Sequence, residues 1–330
     1  MTALLDRPAP IPGRFVEPAA PVSRSSPRPV ARRPLSRRLA AAAAPYLYLV
    51  PALAGLMVWV YSPLVQTIQL SFYDWNLVPT SPARPAGWSN YAEAFDLPQL
   101  GRATLNTLLY LLALLPFTIV IPVVVVLLSH RVHGRARAFY RTAIFAPYLI
   151  APIVTAIVWR WLLDPNGGLV NQVLGMFGVA PISFLRDPKW AMWSIVVIVG
   201  WQLLGFAVLV VSAGLSGISD DYAAAARTDG ATERQITRRI TLPLLSPTLL
   251  FMATLTILSA AQLMFPMIQT LTQGGPGDST TNLYYLLYDT AFGSFDVGLA
   301  SAASVLFFLG FGLLAWGAVW LMDRWSFHDD

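Results

Sequence analysis

An all-α fold that crosses a bilayer six times is what this sequence predicts, and three observations predict it. Of its 330 residues, 56% are hydrophobic and only 12% charged, whereas an ordinary soluble domain carries about 25% charged residues. The mean hydropathy is +0.58, which would leave too much apolar surface in water. Six apolar stretches also recur along the chain, each near the ~20 residues needed to cross ~30 Å of hydrocarbon.

Residues 1–44 come first and are rich in Pro, Arg, Ala and Ser, with eight arginines and no apolar periodicity. Such a composition buries too little surface to fold, so a disordered cytoplasmic N-tail is expected. It is too long and proline-rich to resemble a cleaved signal peptide. The spans follow within residues 45–322, at Pro45–Ser71, Thr104–Ser129, Thr142–Leu163, Ala191–Leu215, Thr248–Leu271 and Val297–Met322. Pro51, Pro63, Pro116, Pro122, Pro152 and Pro266 fall inside them, where each removes a backbone donor and should kink its helix. Residues 323–330 form a short C-terminal segment.

Charge sets the expected orientation. Seventeen of the 22 basic residues lie in the N-tail and in alternate segments, four lie in the opposite loops, and Arg160 lies within the third span. The positive-inside rule then places both termini and the segment 216–247 in the cytoplasm. The opposite loops hold D-P-N-G-G at Asp164–Gly168 and Q-G-G-P-G at Gln273–Gly277. Both are strong turn signals, and glycine-rich backbone can also serve a binding role.

Several chemistries are excluded by inventory. With no cysteine, disulfides and thiol catalysis are impossible, and three histidines make a zinc site improbable. The single lysine, Lys189, sits between Pro188 and Trp190, so no phosphate-binding G-x-x-x-x-G-K-[ST] loop exists. No chain of intramembrane charges of the kind that relays protons is present. A pore without its own motor suggests a motor on another subunit.

The polar island Ser219–Pro247 has a specific grammar. Asp220 and Asp221 open an alanine-rich run, placing negative charge at the positive end of a helix. Gly230 breaks that run. Asp229 is placed to cap a second helix, which begins at Ala231 and should stop before Pro243. Helix, sharp turn and second helix are the expected product. On composition alone it could equally be an interfacial helix on lipid headgroups, although an alanine face gives little membrane affinity.

This island resembles the E-A-A-x-x-x-G-x(9)-I-x-L-P signature of binding-protein-dependent ABC importer permeases. Ala225, Ala226, Gly230, Ile240, Leu242 and Pro243 carry the match, with nine residues between Gly230 and Ile240, and Asp229 and Ala231 extend it. N-T-L-L-Y at Asn106–Tyr110, the run Trp159–Asn171, L-T-Q-G-G-P at Leu271–Pro276 and the run Phe292–Ala302 resemble the sugar and glycerol-phosphate subgroup, the MalF/UgpA-like permeases. The family's glutamate falls at Ala224, a departure for which Asp220 or Asp221, or the partner permease, would have to compensate.

The resemblance implies a type I ABC importer permease fold, with a core region of about 104–320 and a coupling loop at 216–247. It also implies a coupling helix near Asp220–Thr228 that lies in a groove of a cytoplasmic ATPase, with Asp221, Tyr222, Ala225, Ala226, Asp229, Gly230, Ile240, Leu242 and Pro243 as its contacts and framework. Implied partners are a second permease, two ATPase subunits that hold ATP and magnesium, an extracytoplasmic solute-binding protein and the lipid bilayer; no nucleic acid and no cofactor on this chain are expected. For a substrate path the candidates are Gln262 and Gln269, seven residues apart on one helical face, and Asn106, Trp201 and Gln202. Amides in spans serve as often to bond helices together. A secondary, ion-coupled carrier or channel subunit is the alternative reading of the whole chain.

Overall fold

The computed structural model describes residues 48–78, 80–129 and 135–325. The expected N-tail at 1–44, with eight of the arginines behind the orientation argument, lies outside these residues, as do 326–330. Eleven helices make up the architecture of the described residues. They are α1 (Tyr48–Leu70), α2 (Ser89–Asp96), α3 (Leu100–Ser129), α4 (Arg135–Phe145), α5 (Pro152–Leu162), α6 (Leu169–Met176), α7 (Pro188–Ser216), α8 (Asp220–Thr228), α9 (Glu233–Thr272), α10 (Leu283–Tyr288) and α11 (Val297–Trp325). The only strands among them are the two-residue β1 (Tyr73–Asp74) and β2 (Arg84–Pro85), paired antiparallel.

Of the expected spans, the first, second, fourth, fifth and sixth are helices long and apolar enough to cross a membrane. The third is not one straight span. Thr142–Leu149 and Pro152–Leu162 meet at 104°. Proline explains the break: the residue before a proline is driven out of the helical region, and Ala151, before Pro152, has ψ 134°, with Ile150 at ψ 131°. Counted together, the bent pair supplies the sixth crossing.

Helix α7 organises the packing. Twelve of its residues are buried, from Ala191 to Val211, and it touches α3, α4, α9 and the one-turn 3-10 helix Ala146–Leu149. Tyr110 and Leu114 of α3, Ile195 and Val199 of α7, Met264 and Met267 of α9, and Tyr285 of α10 share one core cluster. A second cluster joins Val126 of α3, Val208 and Val211 of α7 and Leu245 of α9. Where α7 meets the broken span it carries Gly205, at which a Cβ would run into the carbonyl of Ile144 and the Cα of Phe145. Gln202, one turn earlier, donates from its amide to the Ile150 carbonyl at 2.7 Å. The break is therefore a held corner whose exposed carbonyl has a partner.

Proline shapes the spans by widening them. Wide i→i+5 turns occupy Met57–Tyr61, Pro116–Val120 and Thr237–Thr241, each ending two residues before a proline (Pro63, Pro122 and Pro243). A single wide turn shifts the carbonyls that would otherwise meet the pyrrolidine ring. That geometry corrects one expectation: the helix after Gly230 does not stop before Pro243 but runs on as the 40-residue α9.

Candidate functional site: the elbow between α7 and α9

The elbow begins at Ser219, whose hydroxyl accepts from the Asp221 N–H at 3.3 Å and donates to the Asp221 carboxylate at 3.1 Å. Asp220 and Asp221 occupy the first turn of α8 and Arg227 the last, each the sign that its helix end favours. At the other end Gly230 sits at φ +81°. The Gly230 N–H donates to the Arg227 carbonyl at 3.0 Å and the Ala231 N–H to the Ala226 carbonyl at 2.9 Å. This is a left-handed glycine cap that satisfies carbonyls the helix would leave open.

The start of α9 differs from the sequence expectation in one respect. Asp229 does not cap α9. Thr232 does, accepting from the Gln235 N–H at 3.4 Å while its own N–H donates to the Gln235 side chain at 2.8 Å. The T-x-x-Q spacing of this capping box was legible in the sequence. Arg227 and Glu233 close the elbow across the glycine, with the guanidinium Nε donating to the carboxylate at 2.7 Å. Six residues separate them, outside the i+3 and i+4 spacings that a single helix pairs, so the pair appears only once the turn is built.

No residue of α8 is buried. Tyr222 is 50% exposed, Asp221, Ala225, Asp229 and Gly230 are exposed, and Ala226 is half-buried. Ile240, Leu242 and Pro243 are half-buried where α9 enters the bundle. A recess of about 240 Å³ opens inside the elbow, lined by Asp229, Gly230, Gln235, Ile236, Arg239 and Ile240. The elbow thus presents a short, nearly naked helix set between two long spans, α7 before it and α9 after it.

The substrate-path candidates are scattered. Asn106 is 5% exposed, with its amide donating to the Asp278 and Thr281 carbonyls at 3.0 and 2.8 Å. Gln202 is engaged at the Ile150 corner. Trp201 is 37% exposed and meets Trp159 edge-on at 5.7 Å. Gln269 donates to the Tyr288 hydroxyl at 3.4 Å, and its carbonyl oxygen is buried without a partner. Gln262 is exposed and makes no hydrogen bond to the described residues.

Sequence reasoning missed the polar clamp behind Asn106. Asn282, fully buried, donates to the Ala261 carbonyl at 3.0 Å and accepts from the Tyr285 N–H at 2.7 Å. Thr107 accepts from the Leu283 N–H at 3.0 Å, and Tyr110 donates to the Thr280 carbonyl at 3.1 Å. Together these fix the loop Gln273–Asn282 between α3 and α9, and no local signal in the sequence announces contacts between residues so far apart.

Several long apolar helices joined by an exposed helix–glycine–helix elbow are the architecture of a polytopic membrane protein. The chain belongs to the family of binding-protein-dependent transport system inner membrane components, whose profile matches residues 86–326. It is 30% identical over 84% of its length to a probable ABC transporter permease protein, y4oQ, of Sinorhizobium fredii, covering 89% of that relative. It is 29% identical to the trehalose/maltose transport system permease protein MalF of Thermococcus litoralis, with 80% of this chain and 88% of that one aligned. The sn-glycerol-3-phosphate transport system permease protein UgpA of Pectobacterium atrosepticum is likewise 29% identical, over 80% of this chain and 89% of its own. In fold the chain is similar to one in the crystal structure of a bacterial ABC transporter involved in the import of the acidic polysaccharide alginate. The TM-score is 0.77 at 23% identity, over 88% of this chain and 99% of that one.

Proposed function

We propose that this permease imports a carbohydrate or a glycerol-phosphate-type solute by alternating access, moved by two cytoplasmic ATPase subunits that act on the α8 elbow. The elbow carries the reading. An exposed nine-residue helix is joined through a turn with one left-handed glycine to a 40-residue helix whose apolar part is long enough to span the membrane. Closure of an ATPase pair around α8 would turn α9 as a rigid lever, a hinge-and-body motion of a familiar kind. In this reading the elbow faces the cytoplasm, as the loop arginines require. ATP and magnesium belong to the partner.

A second permease is expected to complete the path, as the resemblance of the Ser219–Pro247 island to that of paired importer permeases implies. The cargo class rests on the resemblance of Asn106–Tyr110 and Leu271–Pro276 to the sugar and glycerol-phosphate permeases and on the named cargos of two relatives. Of the path candidates, Gln262 is the one whose amide is open to a passing hydroxyl. Purification of the tagged chain from its native membrane tests the assembly. An ATPase and a second permease should accompany it, and uptake into vesicles should follow ATP. A chain that purifies alone and answers to an ion gradient would be a secondary carrier.

A further inference from the structure

A second feature lies at the opposite loops, away from the elbow. Arg160, at the end of α5, and Arg186, in the segment before α7, line one cleft of about 270 Å³ together with Asp164, Ser183, Thr272 and Pro276. Both arginines are exposed, and neither guanidinium has a hydrogen-bond or ion-pair partner among the described residues. The one carboxylate in the cleft is already engaged. Asp164 Oδ1 accepts from the Asn166 and Gly167 N–H groups at 2.9 and 3.1 Å, an interaction that closes its own turn.

The walls are built rather than loose. Asn171 donates to the Asp164 carbonyl at 3.2 Å and the Ile182 carbonyl at 3.0 Å, and it accepts from the Ile182 N–H at 2.9 Å. It thereby ties the turn that carries Asp164 to the segment that leads to Arg186. Across the cleft, Thr280 donates to the Gly275 carbonyl at 2.9 Å and pairs with Thr272 at 2.8 Å. Two exposed, unpartnered guanidinium groups rising from fixed walls suit a carboxylate, which each can bind with paired N–H donors.

We propose that this cleft receives an acidic side chain of the solute-binding protein and serves as an ionic docking contact for it. The proposal rests on the import reading above and deepens it. The family's transport depends on a binding protein, and two guanidinium groups against one occupied carboxylate leave the cleft positive. A contact at an exposed rim also steers arrival and releases readily, which suits a partner that must leave in each cycle.

The assembled transporter in nanodiscs of neutral phosphatidylcholine provides the test, with its ATPase titrated by the binding protein that supports uptake. Arg160→Gln with Arg186→Gln should raise the half-saturating concentration of that protein about tenfold. The rate at saturation and the melting temperature should stay unchanged. Between about 50 and about 300 mM salt, docking should weaken in the parent transporter and much less in the variant. The same half-saturation and salt slope in both would overturn the proposal. So would weakened binding of free solute without the binding protein, which would assign the cleft to cargo. A dependence of the ATPase on added phosphatidylglycerol that the variant abolishes would assign it to lipid, and would overturn the proposal too. If no binding protein stimulates the parent transporter, the import reading fails first; a stimulated parent with an unmoved variant sinks only the cleft.

Discussion

At the scale of single residues, Gly230 and the buried amides show the two ways in which one side chain governs this molecule. Gly230 is at φ +81° with nothing within 4 Å of where a Cβ would lie, so backbone conformation alone limits its replacement. A side chain in that region costs about 1–2 kcal/mol, and asparagine tolerates it best. Gly230→Val should therefore insert in the membrane at normal level yet lose most solute-stimulated ATPase activity and uptake, while Gly230→Asn keeps both; full transport by the valine variant would remove the elbow from the mechanism. Asn282 is the opposite case, buried and with both ends of its amide bonded. Asn282→Ala strands a carbonyl and an N–H and should lower stability by about 2–4 kcal/mol, read as a drop in the thermal midpoint of the purified complex. Gln262→Ala, by contrast, should leave that midpoint alone and slow uptake several-fold; an unchanged rate and affinity would take Gln262 off the path.

Among elements, α7 and the broken span form the pair that the rest of the bundle leans on. Gly205 lets the backbone of α7 come against Ile144 and Phe145, and Gln202 holds the Ile150 carbonyl beside it. Gly205→Leu should push the corner away from α7 and sharply reduce the amount of folded protein in the membrane, as measured by fluorescence-detected size exclusion. A monodisperse variant at parental level would mean that the corner is not held in this way. The spans themselves were legible, because bilayer thickness imposes a length that hydropathy reports directly. The bend was only half legible. Pro152 signalled a disturbance, but the 104° corner is held by Gly205 and Gln202 of another helix. Likewise, the reach of α9 past Pro243 depends on a wide turn at Thr237–Thr241, a backbone adjustment that lets a proline sit inside a helix the sequence reading ends before it.

Across the whole molecule, the sequence reported what is local and hid what is convergent. The elbow is local: acids at one helix end, a glycine at the other, and fixed spacing to Ile240, Leu242 and Pro243 made it readable. The clamp of Asn106, Thr107 and Tyr110 on the Gln273–Asn282 loop and the meeting of Arg160 with Arg186 required the fold. In the proposed mechanism this chain is a passive gate worked from one end, with a docking partner recognised at the other. The most direct measurement is solute uptake by proteoliposomes that contain this permease with or without its ATPase subunits, with binding protein and solute outside and ATP inside. Accumulation is expected only when the ATPase is present and able to hydrolyse ATP, with none from an ion gradient. Accumulation by the permease with no nucleotide-hydrolysing companion would contradict the proposed mechanism.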